Sequence, residues 1–158
     1  MHGISVRVDV DDPRRPDVAQ LIAAHLAFAH ASSPRDDVHA LDGAGLSDPA
    51  ITFFSARSDD GALLAIGALK QLDATHGEIK SMHTAAAHRR SGAGRAMLRH
   101  LIDAARDRGC ARVSLETGSG DVFIPARTLY ERAGFQVCEP FDGYRRTPYS
   151  VCMTMRLE

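Results

Sequence analysis

The residue types that could do chemistry in this chain gather between Glu78 and Gly109. The run begins Glu78-Ile79-Lys80-Ser81-Met82-His83-Thr84, passes through Arg89-Arg90-Ser91-Gly92-Ala93-Gly94, and ends in an amphipathic stretch that stops at Gly109. The first piece reads as a strand, the last as a helix, and a bend with two glycines joins them. Free backbone amides on such a bend, at the positive end of a helix, make a place to hold phosphate. Gly92 and Gly94 let the backbone approach an anion with no Cβ in the way. Arg89 and Arg90 add charge and forked donors. By itself the bend also describes a solvated basic turn ahead of an ordinary helix. The chain has neither Gly-x-x-x-x-Gly-Lys-[Ser/Thr] nor a full Gly-x-Gly-x-x-Gly after an early strand, which argues against a P-loop and against a dinucleotide fold.

Other reactive residues are scattered. His25 and His30 are five apart, off-register for a shared metal face on a helix, and no acidic or cysteine ligand joins them, so no metal is expected. Cys110, Cys138 and Cys152 are odd in number and lack metal-ligand spacing, which suits buried thiols in a reducing cytoplasm. The 158 residues are 44% hydrophobic and carry a net charge of −1, the profile of one globular domain over 1–158. That charge gives no basis for bulk attraction to nucleic acid or to a membrane surface. The N-terminus has no apolar signal core, and no run approaches membrane-spanning length.

The elements that must position these residues follow from periodicity. Ile4, Val6, Val8 and Val10 alternate with polar residues as a strand over 3–10. Pro16-Asp17 opens a helix that Ser32-Ser33-Pro34 stops. A short helical turn is expected over 37–42, inside an irregular segment that reaches residue 50. Strands over 51–56 and 63–72 flank an Asp-Gly hairpin signal at Asp60-Gly61, and with 78–84 they make an antiparallel meander. The helix after the two-glycine bend puts Met97, Leu98, Leu101, Ile102 and Ala105 on one stripe. A strand over 111–117 follows that crossover and should run parallel to 78–84. Pro125 opens a helix that ends at Gly134, and two last strands flank a long loop from 139 to 148. The total is an α/β (α+β) fold, a mixed, mostly antiparallel sheet of about seven strands with about four helices.

Arg89-Arg90-Ser91-Gly92-Ala93-Gly94 resembles the [Gln/Arg]-x-x-Gly-x-[Gly/Ala] loop of the GNAT superfamily of N-acetyltransferases. Leu129-Tyr130-Glu131-Arg132-Ala133-Gly134-Phe135 is similar to that superfamily's Leu-Tyr-x-x-x-Gly-Phe signature. The resemblance covers residues 63–137 clearly. It implies acetyl-CoA as co-substrate, an amine on a small molecule or peptide as acceptor, and no metal; it also admits a homodimer. The residues implied in cofactor binding are Met82, His83, Thr84, Arg89, Arg90, Ser91, Gly92, Ala93, Gly94 and Arg95. Tyr130 matches the tyrosine that protonates the leaving thiolate, a role a phenol can fill. Glu78 has the spacing of a base found in some members, although Lys80 on the same strand face could pair with it and lower its pKa. Glu116 is the rival carboxylate, suited also to holding a substrate ammonium, and His83 is a further candidate base. His39 falls in the segment that would wall the acceptor pocket. The family's usual Asn near the last helix is replaced here by Phe123, which leaves that pantetheine contact without a match. Arg145 and Arg146 in the final loop read as solvated, or as a clamp for a substrate carboxylate. The rival class is a non-catalytic acyl-CoA-binding module that kept the loop and lost the chemistry.

Overall fold

The computed structural model describes residues 5–32, 41–89 and 91–157. The described residues contain a seven-stranded sheet and three α-helices. The chain runs β1 (Val6–Val10), α1 (Pro16–Ser32), β2 (Ile51–Ser58), β3 (Leu63–Asp73), β4 (His76–Thr84), α2 (Ala93–Asp107), β5 (Arg112–Gly118), α3 (Ile124–Ala133), β6 (Gln136–Cys138) and β7 (Ser150–Arg156). The strand order is β1-β2-β3-β4-β5-β7-β6. Every adjacent pair is antiparallel except β4 and β5, which the α2 crossover makes parallel.

Alternation along the central strands divides the interior in two. On β3, Ala65 and Leu69 join Met97, Leu98 and Leu101 of α2, while Ile66 and Ala68 join Val18, Leu21 and Ile22 of α1. Gly67 of β3 lies beneath α2, where an added Cβ would come within 2.9 Å of the Met97 Cγ. A small residue there lets the helix settle onto the sheet and places its N-terminus at the open end of β4.

The expected number of helices was about four; three are present among the described residues. The predicted turn over 37–42 falls mostly outside them, and the helical turn that is described lies later, a 3-10 turn at Gly45–Ser47. There the Gly45 amide donates to Asp42 Oδ1 at 2.8 Å, so an aspartate side chain fastens a turn too short to bury a continuous face.

Candidate active site

β4 and β5 stay paired only from His76–Ile79 against Arg112–Leu115. Beyond that they part, and a cavity of about 730 Å³ opens between them. Its walls come from Glu78 to Thr84 on β4, Leu115 to Gly118 on β5, His25, Phe28 and Ala29 on α1, and Ala126, Leu129 and Tyr130 on α3. The parting coincides with a bulge. The β3–β4 register slips between Ile66 and Ala68, and Ser81 on the bulged strand has φ of 58°. A left-handed serine inside a strand is an uncommon, strained choice. Its Oγ is buried with no hydrogen-bond partner among the described residues.

The two-glycine bend closes one end of this cavity. Gly92 has φ of 88°, a conformation that favours glycine. Gly94 sits against the end of β4, with its missing Cβ position 3.1 Å from Thr84 Oγ1. Arg89, Gly92, Gly94 and Arg95 all line the cavity. The first amides of α2 have no intrahelical acceptor, as at any helix start. Ser91 donates its hydroxyl to the His88 carbonyl at 2.5 Å, so it shapes the bend from within. Cationic side chains, helix-start amides and absent side chains converge here, and this combination fits a diphosphate.

Tyr130 enters the wall from α3. It is 7% exposed, and its ring meets Phe135 edge-on at 6.0 Å. Burial, with the Glu116 charge adding to it, pushes the phenol up to about 12, and no hydrogen bond contributes to the shift. The hydroxyl therefore keeps its proton throughout the neutral range.

Glu78 is almost wholly buried. Its Oε2 accepts a hydrogen bond from the Tyr144 hydroxyl at 2.5 Å and another from Lys80 Nζ at 3.2 Å. Lys80 Nζ also donates to the Tyr144 oxygen at 2.8 Å and lies 5.5 Å from its ring centroid. The pairing of Glu78 with Lys80 weighed from strand alternation is thus present, and the long loop adds a third member. Burial, then the charge of Glu78, drives the Tyr144 phenol strongly upward.

On the α1 side, His25 Nδ1 and His83 Nδ1 are 3.1 Å apart. Burial, then the neighbouring His83, lowers His25 to about 4. Burial, then the Arg89 guanidinium, lowers His83. Phe28 meets the His83 ring at 6.1 Å and the Phe123 ring at 5.3 Å. Phe123, standing where the resemblance leads one to look for Asn, lies flat over Gly118; a Cβ on that glycine would come within 2.1 Å of the Phe123 Cε2. An aromatic wall replaces an amide there.

The cavity thus brings together Glu78, Met82, His83, Thr84, Arg89, Gly92, Gly94, Arg95, Glu116 and Tyr130. Arg90 and His39 lie outside the described residues. Arg146 is paired with Glu139 at an exposed position, away from this cavity lining. His25, Phe28 and Tyr144 line the site without having been singled out for it. Each comes from an element far from the loop in sequence: α1 packs against β3 and β4, and the loop that carries Tyr144 joins β6 to β7 on the β5 side of the sheet. Among the described residues no group of three or more His, Cys, Asp or Glu side chains could hold a metal ion. No helix among them is long and apolar enough to cross a membrane.

Comparison with known proteins agrees with this geometry. YsnE of Bacillus subtilis (strain 168), described as an uncharacterized N-acetyltransferase, is 47% identical over 152 residues, covering 96% of this chain and all of that protein. A crystal structure described as an acyl-CoA N-acyltransferase from Klebsiella pneumoniae superposes with a TM-score of 0.82 at 28% identity, covering 97% of this chain and 98% of the other. A Bacillus subtilis acetyltransferase in complex with CoA shares the fold, with a TM-score of 0.72 at 17% identity, covering 98% of this chain and all of the other. The sequence profile of the acetyltransferase (GNAT) family matches residues 17–135. With the diverging strands, the two-glycine bend and the in-register tyrosine, these likenesses show that the chain belongs to the GNAT family of acetyltransferases.

Proposed function

We propose that the protein moves the acetyl group of acetyl-CoA to a primary amine by direct attack within a ternary complex. One observation carries the reading: a single cavity has the diphosphate-suited bend at one end and the Tyr130 phenol in its wall. A CoA-bound relative of the same fold lends support to the choice of co-substrate.

Each residue role follows from its surroundings. Arg89, Arg95 and the α2 amides hold the diphosphate, with Gly92 and Gly94 allowing close approach. Met82, His83 and Thr84, on the stretch of β4 released from β5, offer backbone groups to the pantetheine arm. Tyr130 donates its proton, or a strengthening hydrogen bond, as charge builds on the leaving sulfur. Glu116, whose charge acts on Tyr130, draws the acceptor's ammonium toward the same region. No cysteine lines the cavity among the described residues, so a covalent acyl-enzyme through a thiol has no candidate there.

Glu78 is the sequence's candidate base. Its Oε2 already takes two hydrogen bonds. We therefore give it the task of anchoring Lys80 and Tyr144 in the acceptor-side wall. A Glu78→Gln variant should keep the acidic limb of the wild-type pH–rate profile; loss of that limb would return Glu78 to the role of base.

Two measurements test the whole reading. CoA, and neither ATP nor NAD, should raise the melting temperature. Thiol release from acetyl-CoA over a panel of primary amines should give intersecting double-reciprocal lines. Parallel lines would replace the ternary complex by a covalent route. Tight CoA binding with no release for any amine would favour a binding module.

A further inference from the structure

The His25–His83 pair sits in the cavity wall, and the roles assigned above leave it without chemistry. Two imidazoles whose Nδ1 atoms are 3.1 Å apart cannot both present a lone pair, or both a proton, across that gap. One ring must donate Nδ1–H and the other accept. The donor ring then has a bare Nε2, and the acceptor ring carries its proton on Nε2. A neutral pair of this kind always presents one basic nitrogen.

We propose that His83 is the donor ring and that its bare Nε2 is the proton acceptor for the attacking amine, with His25 as the positioning residue that fixes the tautomer. This deepens the reading given above and rests on it. His83 is favoured over His25 because it stands on β4, two residues past the Ser81 bulge, where the strand leaves β5 and the cavity begins. Glu78, on the same strand, already accepts two hydrogen bonds. The pair is placed to stay neutral: burial and the Arg89 guanidinium both disfavour a second positive charge at His83. Among the described residues, the charged or titratable groups acting on the pair are the two rings themselves and Arg89. Phe28 of α1 supplies an uncharged ring against His83.

The proton balance closes. The ammonium gives one proton to His83 Nε2. The neutral nitrogen forms the C–N bond as the C–S bond breaks. The sulfur takes the Tyr130 proton, the second nitrogen proton restores the phenol, and His83 releases its proton to water.

The test uses the full chain and a primary amine that the wild type acetylates, with kcat/KM for thiol release followed over pH 5–9. A neutral base is present above its pKa and lost as pH falls through it. Both rings are shifted down from 6.5, so the wild-type acidic limb should lie below that value. His83→Asn keeps an Nδ1-like donor toward His25 and deletes Nε2. It should cost about 10²-fold or more at pH 7 and abolish the acidic limb. His25→Asn retains an acceptor at the Nδ1 position and should hold most of the activity, whereas His25→Leu should lose about 10-fold or more. An unchanged acidic limb in His83→Asn would overturn the proposal, as would equal activity of His25→Asn and His25→Leu. Nitrogen-15 NMR of the wild-type chain at pH 7, with the His25 and His83 signals assigned, gives a further check: a proton on Nδ1 of His83 and on Nε2 of His25 supports the pair, and a charged ring at either position or the reverse tautomers refute it. If CoA binds and thiol is released while these outcomes fail, only this inference falls; if CoA does not bind, the acetyl-transfer reading falls with it.

Discussion

Replacing Tyr130 with Phe separates catalysis from stability in a way this structure specifies. The ring lies in the main core cluster and would be kept, with its edge-on contact to Phe135. The hydroxyl would be lost, and no hydrogen bond contributes to its shifted pKa. Among the described residues the buried side-chain atoms without a partner are Arg57 Nε and Ser81 Oγ, so the Tyr130 hydroxyl carries no unmet polar cost that its removal would recover. The variant should therefore melt close to wild type, within the roughly 2–4 °C that 1 kcal/mol makes in a chain of this size. Turnover should fall. Loss of a positioned general acid costs about 10²–10⁴-fold, or roughly 3–5 kcal/mol of barrier. Differential scanning fluorimetry on the apo protein and thiol release at saturating substrates measure the two effects side by side. With the phenol pushed up to about 12, Tyr130 should contribute no basic limb below about pH 11. A larger drop in Tm would mean that the hydroxyl makes a stabilising hydrogen bond in the native state. An unchanged kcat would remove Tyr130 from the chemistry.

Other expectations come from single contacts. Gly118→Ala drives a Cβ into the Phe123 ring and should raise the KM for acetyl-CoA about 10-fold; adding Phe123→Ala should restore much of the loss, a non-additive pair on a mutant cycle. Arg89→Ala and Arg95→Ala should each weaken CoA binding by about 0.3–2 kcal/mol, with the difference from wild type shrinking at high salt in a calorimetric titration. Asp17 is held below its usual value, first by its hydrogen bond from Arg57. Burial raises Asp11, but hydrogen bonds from Ser55, the Asp12 amide and Arg57 outweigh it and leave it lowered. Both groups are depressed on folding, so their stabilisation is present above about pH 4 and is lost as pH falls through the folded values. Tm scanned from pH 6 to 2.5 should fall less steeply in Arg57→Leu than in wild type.

The fold was legible because its signals are local. The apolar run of 63–72 after an Asp-Gly turn, the apolar stripe from Met97 to Ala105, and Gly134 after the last helix each name an element from a few neighbouring residues. The parallel step from β4 to β5 follows from the crossover helix between them. The bend was legible too, since Gly92 takes the positive φ that glycine favours and Gly94 packs close to Thr84. Three features of the site were not. Ser81 takes a left-handed conformation that glycine would have advertised and serine hides. His25 and His83 meet across 58 positions, a contact that depends on how α1 crosses the sheet. Tyr144 leaves a loop that reads as solvated and reaches Glu78, 66 positions away. Long-range packing decides such contacts, and neither composition nor spacing carries that information.

The short union of β4 with β5 has a mechanical consequence. The sheet is two panels, β1 to β4 and β5 to β7, joined along a spine of four paired residues on each side. Main-chain groups on the facing edges beyond the spine must find partners outside the sheet. A guest lying in the gap can act as a missing strand, bonding to both panels and fixing the angle between them. Amide hydrogen exchange along 80–84 and 116–118 should slow when the guest is present, while exchange at 76–79 should hardly change. On this view the two panels stand like the covers of a partly opened book, and the guest is its missing page.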